Sequence, residues 1–177
     1  MHDRLLILAM ATFCGAITAS AQTGSSCSDL ASLKIDDVEI TSSTEVPANA
    51  PIPSSYPHYA GSLPAHCRVE GMMHRRKGVD GIEYGIGFAM ALPEKAAWNG
   101  DFMMQGGGGG NGVVNYPVGA SYSGDKTALA RGFVVASTDT GHKARTGVFD
   151  FSFVRDQQAY LDFAYQANAE WPVWRSR

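Results

Sequence analysis

Phe102-Met103-Met104-Gln105-Gly106-Gly107-Gly108-Gly109-Gly110-Asn111-Gly112 is the stretch on which the fold turns. Its first four residues have the length and apolar character of a short buried strand. Five consecutive glycines follow at once. Glycine reaches backbone conformations closed to other residues and lets the chain approach a second group with no Cβ in between. Such a run at a strand end is either a flexible or tightly packed turn, or a loop whose backbone meets a ligand. A phosphate-binding loop would end in Gly-Lys-Ser/Thr, but Gly110-Asn111-Gly112 runs into Val113-Val114. Gly107, Gly109 and Gly112 satisfy the dinucleotide pattern G-x-G-x-x-G, as any glycine run does by accident, and Val113-Val114-Asn115-Tyr116-Pro117 is a poor helix start. The third chemistry is an oxyanion hole. Acyl-transfer enzymes hold a developing negative charge with backbone N–H groups, and α/β hydrolases take one of them from the loop after the third strand. The oxyanion loop and the plain packing turn both stand at this point.

Upstream, Ile82, Tyr84, Ile86, Phe88, Met90 and Leu92 are large and apolar, and Glu83, Gly85, Gly87, Ala89 and Ala91 between them are small or polar. Period two over this length predicts a strand, and the small residues predict close packing on its second face as well. Cys67 to His74 reads as the preceding strand, with Val79-Asp80-Gly81 as the turn. Pro93 ends the long strand, and Trp98-Asn99-Gly100-Asp101 makes a turn. Downstream, Asp125 is placed to cap a short helix from Lys126 to Arg131, closed by Gly132. Phe133 to Thr138 is a buried strand of parallel type, and Thr140-Gly141-His142 opens a loop. Asp156 to about Glu170 reads as a helix with Tyr160, Leu161, Ala164, Tyr165 and Ala167 on its apolar side, ended by Pro172. The order predicts the first half of an α/β sheet, with an antiparallel start and a parallel continuation. On this reading Phe133–Thr138 is the open edge strand with an uncovered apolar face, Trp171 and Trp174 are exposed, and the isolated chain is prone to aggregate.

The chain has 177 residues and a formal net charge of -3. His74-Arg75-Arg76-Lys77 is its densest basic cluster and reads as a solvated strand end, so no nucleic-acid partner is expected. Asp3-Arg4, an apolar run from Leu5 to Ile17 and Ala19-Ser20-Ala21 have the three parts of a signal peptide. The run is short for a bilayer span, and no membrane partner is expected. Residues 1–21 are therefore read as a signal peptide, and the protein as secreted or periplasmic. Cys27 and Cys67 remain after cleavage, and in an oxidising compartment they predict one disulfide. It would close a loop of about 40 residues and contribute roughly 3–4 kcal/mol. Two buried thiols are the alternative; a zinc site needs more ligands. Residues 22–66, punctuated by Pro47, Pro51, Pro53, Pro57 and Pro64, read as an extended N-terminal arm with a short strand at Val38-Glu39-Ile40. Residues 67–177 read as an incomplete α/β core.

Five segments together resemble the tannase and feruloyl esterase family: Leu63 to Val69, Trp98-Asn99-Gly100, Gly106 to Gly112, Ser137 to His142, and Asp162 to Tyr165. They occur in the family's order between about Cys27 and Tyr165. The resemblance implies an α/β-hydrolase fold and a secreted serine esterase of aromatic (gallate- or feruloyl-type) esters working by Ser-His-Asp acyl transfer. It implies Gly109 as a backbone oxyanion donor, with Gly108 and Gly110 shaping the loop and Asn111 and Gly112 holding its end. It matches Cys27 and Cys67 to an N-terminal disulfide. His142 is expected to be a hydrogen-bonded structural histidine, because the family's base follows the nucleophile. The family's Cys-Ser-x-Gly-Gly nucleophile motif does not occur in this sequence. Gly119-Ala120-Ser121-Tyr122-Ser123-Gly124 fails the G-x-S-x-G pattern, and Ser121 and Ser123 read as loop serines. The triad acid, the base and the calcium-bearing lid are not among these residues either, so no cofactor is expected in this chain. The expectation is the N-terminal part of a carboxylic ester hydrolase, cut before the nucleophile elbow and inactive alone, with a small aromatic ester as the parent's substrate. A secreted non-catalytic binding module on a partial hydrolase fold is the alternative; a nucleotide-binding oxidoreductase is a third, which titration with dinucleotides would test.

Overall fold

A computed structural model describes residues 26–51, 62–119, 126–147, 149–169 and 171. The signal-peptide reading, the Asp125 cap, Ser121, Ser123, Pro172 and Trp174 lie outside the described residues. Five strands form one mixed sheet: β1 (Val38–Val46), β2 (His66–Lys77), β3 (Glu83–Pro93), β4 (Phe102–Gln105) and β5 (Val134–Thr138), in spatial order β1-β2-β3-β5-β4. The first three are antiparallel neighbours, β5 runs antiparallel to β3, and β4 and β5 are parallel. The antiparallel start and parallel continuation are thus as the sequence order predicted. The edge is not. β5 lies between β3 and β4, so among the described residues β4, not β5, ends this side of the sheet. Both faces of β5 are covered, with Val135 in one apolar cluster and Ala136 in another.

The alternation in β3 sorts these two clusters. Ile86 and Phe88 face Val69, Met73, Ala167 and Trp171 on one side. On the other side the small residues leave room for the chain itself: Ala91 packs with Tyr116, Val118, Ala128 and Leu129 from the loops that follow β4. The closest approach is at Gly87, where an added Cβ would stand 2.5 Å from the Asp139 carboxylate.

The expected short strand at Val38-Glu39-Ile40 is the start of the nine-residue β1, paired along its length with β2. The 3-10 turn Cys27–Ser32 precedes it, and a disulfide joins Cys27 to Cys67 at the start of β2, with Cα atoms 5.6 Å apart. The basic cluster does end β2. Arg75 and Lys77 are exposed as a solvated strand end, whereas Arg76 is paired with the buried Asp156.

The helix expected over 126–131 is shorter, a single 3-10 turn at Leu129–Arg131, closed by Gly132 in a left-handed conformation. The helix expected from Asp156 is present as α1 (Gln157–Leu161), a π segment (Asp162–Gln166) and α2 (Ala167–Ala169), end to end. Asp156 caps it by accepting the Ala159 N–H at 2.9 Å. Its buried side agrees with the expected one at Ala167 and differs from it at other positions. Ala159, Asp162 and Ala167 face inward, whereas Tyr160, Ala164 and Tyr165 are exposed. The departure begins at Ala159 and Tyr160, before the π segment, and the polar Asp162 sits in the buried stripe, where an apolar pattern does not register it. Trp171 is buried rather than exposed. Its ring stacks on Phe102 at 6.1 Å and meets Phe88 edge-on at 5.6 Å, and its indole N–H donates to the Ala167 carbonyl.

Candidate active site

Parallel strands β4 and β5 end side by side, and the loops that leave their carboxyl ends meet there, the usual place for a ligand in an open α/β sheet. The glycine run leaves β4 directly. Asn111 N–H donates to the Gly108 carbonyl at 3.0 Å, so Gly109 and Gly110 form the middle of a turn. Gly109 has φ +60°, a conformation open to glycine at little cost. It is exposed, while Gly110, Asn111 and Gly112 are buried. The structure therefore places Gly109 at the tip, with Gly108 before it and Gly110 anchoring it behind. Among the described residues the Gly109 N–H meets no acceptor.

The end of the loop is fastened to the turn after β5. The Asn111 side-chain amide donates to the Thr138 carbonyl at 2.7 Å. Gly112 N–H donates to the Asp139 carbonyl at 3.1 Å, and Gly112 in turn accepts the Ala144 N–H at 3.0 Å. Gly112 has φ +81°, and a Cβ there would lie 2.5 Å from the Ala144 nitrogen. Gln105, the last residue of β4, reaches the same loop further on: its side chain donates to the Tyr116 carbonyl and accepts the Gly119 N–H at 2.7 Å. The result is an exposed glycine turn at a strand end whose following residues, Asn111 and Gly112, are hydrogen-bonded to the neighbouring turn.

Two titratable side chains lie under this loop, and sequence reasoning gave neither its environment. Asp139 is 3% exposed. Burial raises its pKa to about 7, against the opposing pull of the Gly141 and Gly87 N–H groups. His142 is equally buried, but it is not hydrogen-bonded as expected: among the described residues neither ring nitrogen has a partner. Its imidazole stacks on Phe153 with ring centres 3.7 Å apart and meets Phe163 edge-on. Burial lowers its pKa, more than the nearby backbones of Thr140 and Gly110 raise it. The ring is thus held by stacking in an aromatic cluster. Among the described residues no three His, Cys, Asp or Glu side chains are grouped to hold a metal ion, and no helix is long and apolar enough to cross a membrane.

The sheet order and the loop at its carboxyl edge define the class: an α/β-hydrolase-like fold. A solved structure of feruloyl esterase B from Aspergillus oryzae superposes on 80% of the chain with a TM-score of 0.59 and 26% identity. Residues 67–173 match the family model for tannase and feruloyl esterase, and the chain belongs to that family. It is 38% identical over 114 residues to mono(2-hydroxyethyl) terephthalate hydrolase of Piscinibacter sakaiensis, a match covering 61% of this chain. It is 34% identical over 167 residues, 94% of the chain, to an uncharacterised esterase of Xanthomonas campestris pv. campestris. The chain spans only 19% and 26% of the lengths of these two relatives, and 26% of the feruloyl esterase structure.

Proposed function

We propose that this chain supplies the oxyanion side of the active site of a secreted carboxylic ester hydrolase. In that reaction a serine attacks the ester carbonyl, a histidine moves the proton, and the Gly109 N–H holds the charge that develops on the carbonyl oxygen. The observation that carries the reading is the position of Gly109: an exposed N–H with no acceptor among the described residues, in a left-handed turn at the carboxyl end of β4, on a loop fastened at Asn111 and Gly112. Family membership supports ester chemistry. The names of the relatives, a feruloyl esterase and a terephthalate ester hydrolase, favour an aromatic acyl group. The signal-peptide-like residues 1–21 and the Cys27–Cys67 disulfide favour an exported protein with 22–66 as its N-terminal arm.

The serine, the triad acid and the base are assigned to residues beyond this sequence, so the chain alone should show no turnover above the small residue that binding and an oxyanion donor leave. The test is to isolate the native gene product, determine its intact mass, and assay it and the chain alone on methyl ferulate and methyl gallate. Hydrolysis by a longer native product and none by the chain is the expected result. A longer native product without esterase activity on either would refute it. The absence of Cys-Ser-x-Gly-Gly from the 177 residues favours one second reading, a non-catalytic binding module. A native mass equal to that of the chain, with ligand binding and no turnover, would establish that reading.

A further inference from the structure

Asp139 has no part in the acyl-transfer steps, yet it is the most connected residue at the site. One carboxylate oxygen, Oδ1, accepts the N–H of Gly87 on β3 and the N–H of Gly141 in its own turn, each at 2.9 Å. Its backbone N–H donates to the Gly87 carbonyl at 3.0 Å, and its own carbonyl accepts the Gly112 N–H at 3.1 Å. The residue before it, Thr138, takes the Asn111 amide, and Ala144 at the far end of the turn donates to Gly112. The turn thus touches β3 on one side and both fastened residues of the glycine loop on the other. There is little slack. A Cβ on Gly87 would stand 2.5 Å from Oδ2 of Asp139, and one on Gly141 would stand 2.3 Å from Cβ of Asp162 in the π segment. Burying a carboxyl group is costly unless its hydrogen bonds are made, and here two backbone N–H groups that define the turn's shape, those of Gly87 and Gly141, donate to the carboxylate.

We infer that Asp139 is a positioning residue: its side chain locks the 138–144 turn against β3, and through Gly112 and Asn111 that turn sets the direction of the glycine loop. That the loop so directed serves catalysis rests on the reading of Gly109 as an oxyanion donor. On this reading Asp139 acts through the loop.

Residue-resolved amide exchange by NMR on this chain tests the lock without any need for activity. Asp139→Ala removes both side-chain acceptances and should speed exchange at Asn111 and Gly112 about tenfold, the effect of one lost buried hydrogen bond, while β1 and β2 amides hold. Asp139→Asn keeps an oxygen for Gly87 and Gly141 and should stay within about twofold of the parent chain. Uniform acceleration across the sheet, or no change in the loop, would overturn the inference. Should Asp139→Ala fail to fold, a pH titration with Asp139 intact gives the answer. Lys143 is the charged side chain that acts on Asp139; His142, lowered by burial, follows in the same turn, and Asp162 of the π segment, raised by burial, packs against Gly141, so Asp162→Asn is the background in which the titration is read. The Gly87, Gly141 and Gly112 amide resonances should then move with one common midpoint; movement of the first two without Gly112 overturns the link. In the native esterase, Asp139→Ala should lower kcat with KM within about twofold, and Asp139→Asn should restore it. A loop that loosens in exchange with kcat unchanged leaves the lock standing and removes the oxyanion reading.

Discussion

Asp156 joins the two halves of the molecule, and its removal has a calculable cost. Its carboxylate caps α1 through Ala159 N–H, accepts Val79 N–H at 3.0 Å, and takes both ends of the Arg76 guanidinium from the end of β2. Losing a side-chain cap costs about 1 kcal/mol, and a hydrogen bond to a charged group roughly 1.5–3 kcal/mol. The Arg76 side chain is 27% exposed, so water recovers part of the loss on that side. For Asp156→Ala we expect about 3 kcal/mol, a fall of about 10 °C in Tm for a domain of this size. Urea unfolding followed by circular dichroism would measure it, with Arg76→Ala and the double variant completing a cycle. The pH dependence adds a second check. Arg76, first, and then the Ala159 and Val79 N–H groups hold the Asp156 carboxyl below the usual carboxylate range. A depressed folded pKa gives stability that is present above the unfolded value, 3.8, and lost as pH falls through the folded one. The gap between the parent chain and Asp156→Ala should therefore be constant from pH 7 to pH 5 and close below about pH 4. A loss under about 1 kcal/mol, or a gap that widens in acid, would refute the assignment of Asp156 as the tie between β2 and the helix.

Asp139 has the opposite sign. Its folded pKa, about 7, lies above the ordinary 3.8, so its contribution is complete below 3.8 and is lost as pH rises through 7. Asp139→Asn should flatten the stability profile over that window, by up to roughly 4 kcal/mol at pH 8 relative to the parent chain; parallel profiles would count against the buried charge. Cys27→Ser, or reduction, should lower unfolding free energy by roughly 3–4 kcal/mol, read from denaturant midpoints with and without reductant. Trp171→Ala should cost about 3–5 kcal/mol for an aromatic side chain lost from a core, and an effect under about 1 kcal/mol would mean that the ring does not hold the helix to Phe88 and Phe102.

Much of this was legible before any coordinates. Tyr84, Ile86 and Phe88 announce β3 by alternation, and Gly87 and Ala91 announce the close packing on its second face. The glycine loop and its place after a strand are equally local. Strand order is not. Phe102–Gln105 and Val134–Thr138 are both short apolar runs, and nothing within either states which one joins β3. The helix face is hidden in the sequence because its buried stripe runs through the small Ala159 and the polar Asp162, and a buried aspartate looks like a solvent position. Trp171, flanked by polar and helix-breaking residues, carries no sign that Phe88 and Phe102 await it. Asp139 and His142 stand in one five-residue motif, but their burial depends on Gly87 and Phe153, far away in the chain.

The spatial order β3-β5-β4 has a kinetic meaning. Among the described residues, β4 is hydrogen-bonded to the sheet through β5, which is made later in the chain. During synthesis or refolding, the glycine run therefore emerges with no surface to settle on, and pairing across such a separation is slow because loop closure must precede the contacts that reward it. The hand-hold for Gly112 and Asn111 appears only when Thr138 and Asp139 have left the ribosome and taken their place beside β3. The order predicts that loop and lock form late, after β1, β2 and β3 have paired.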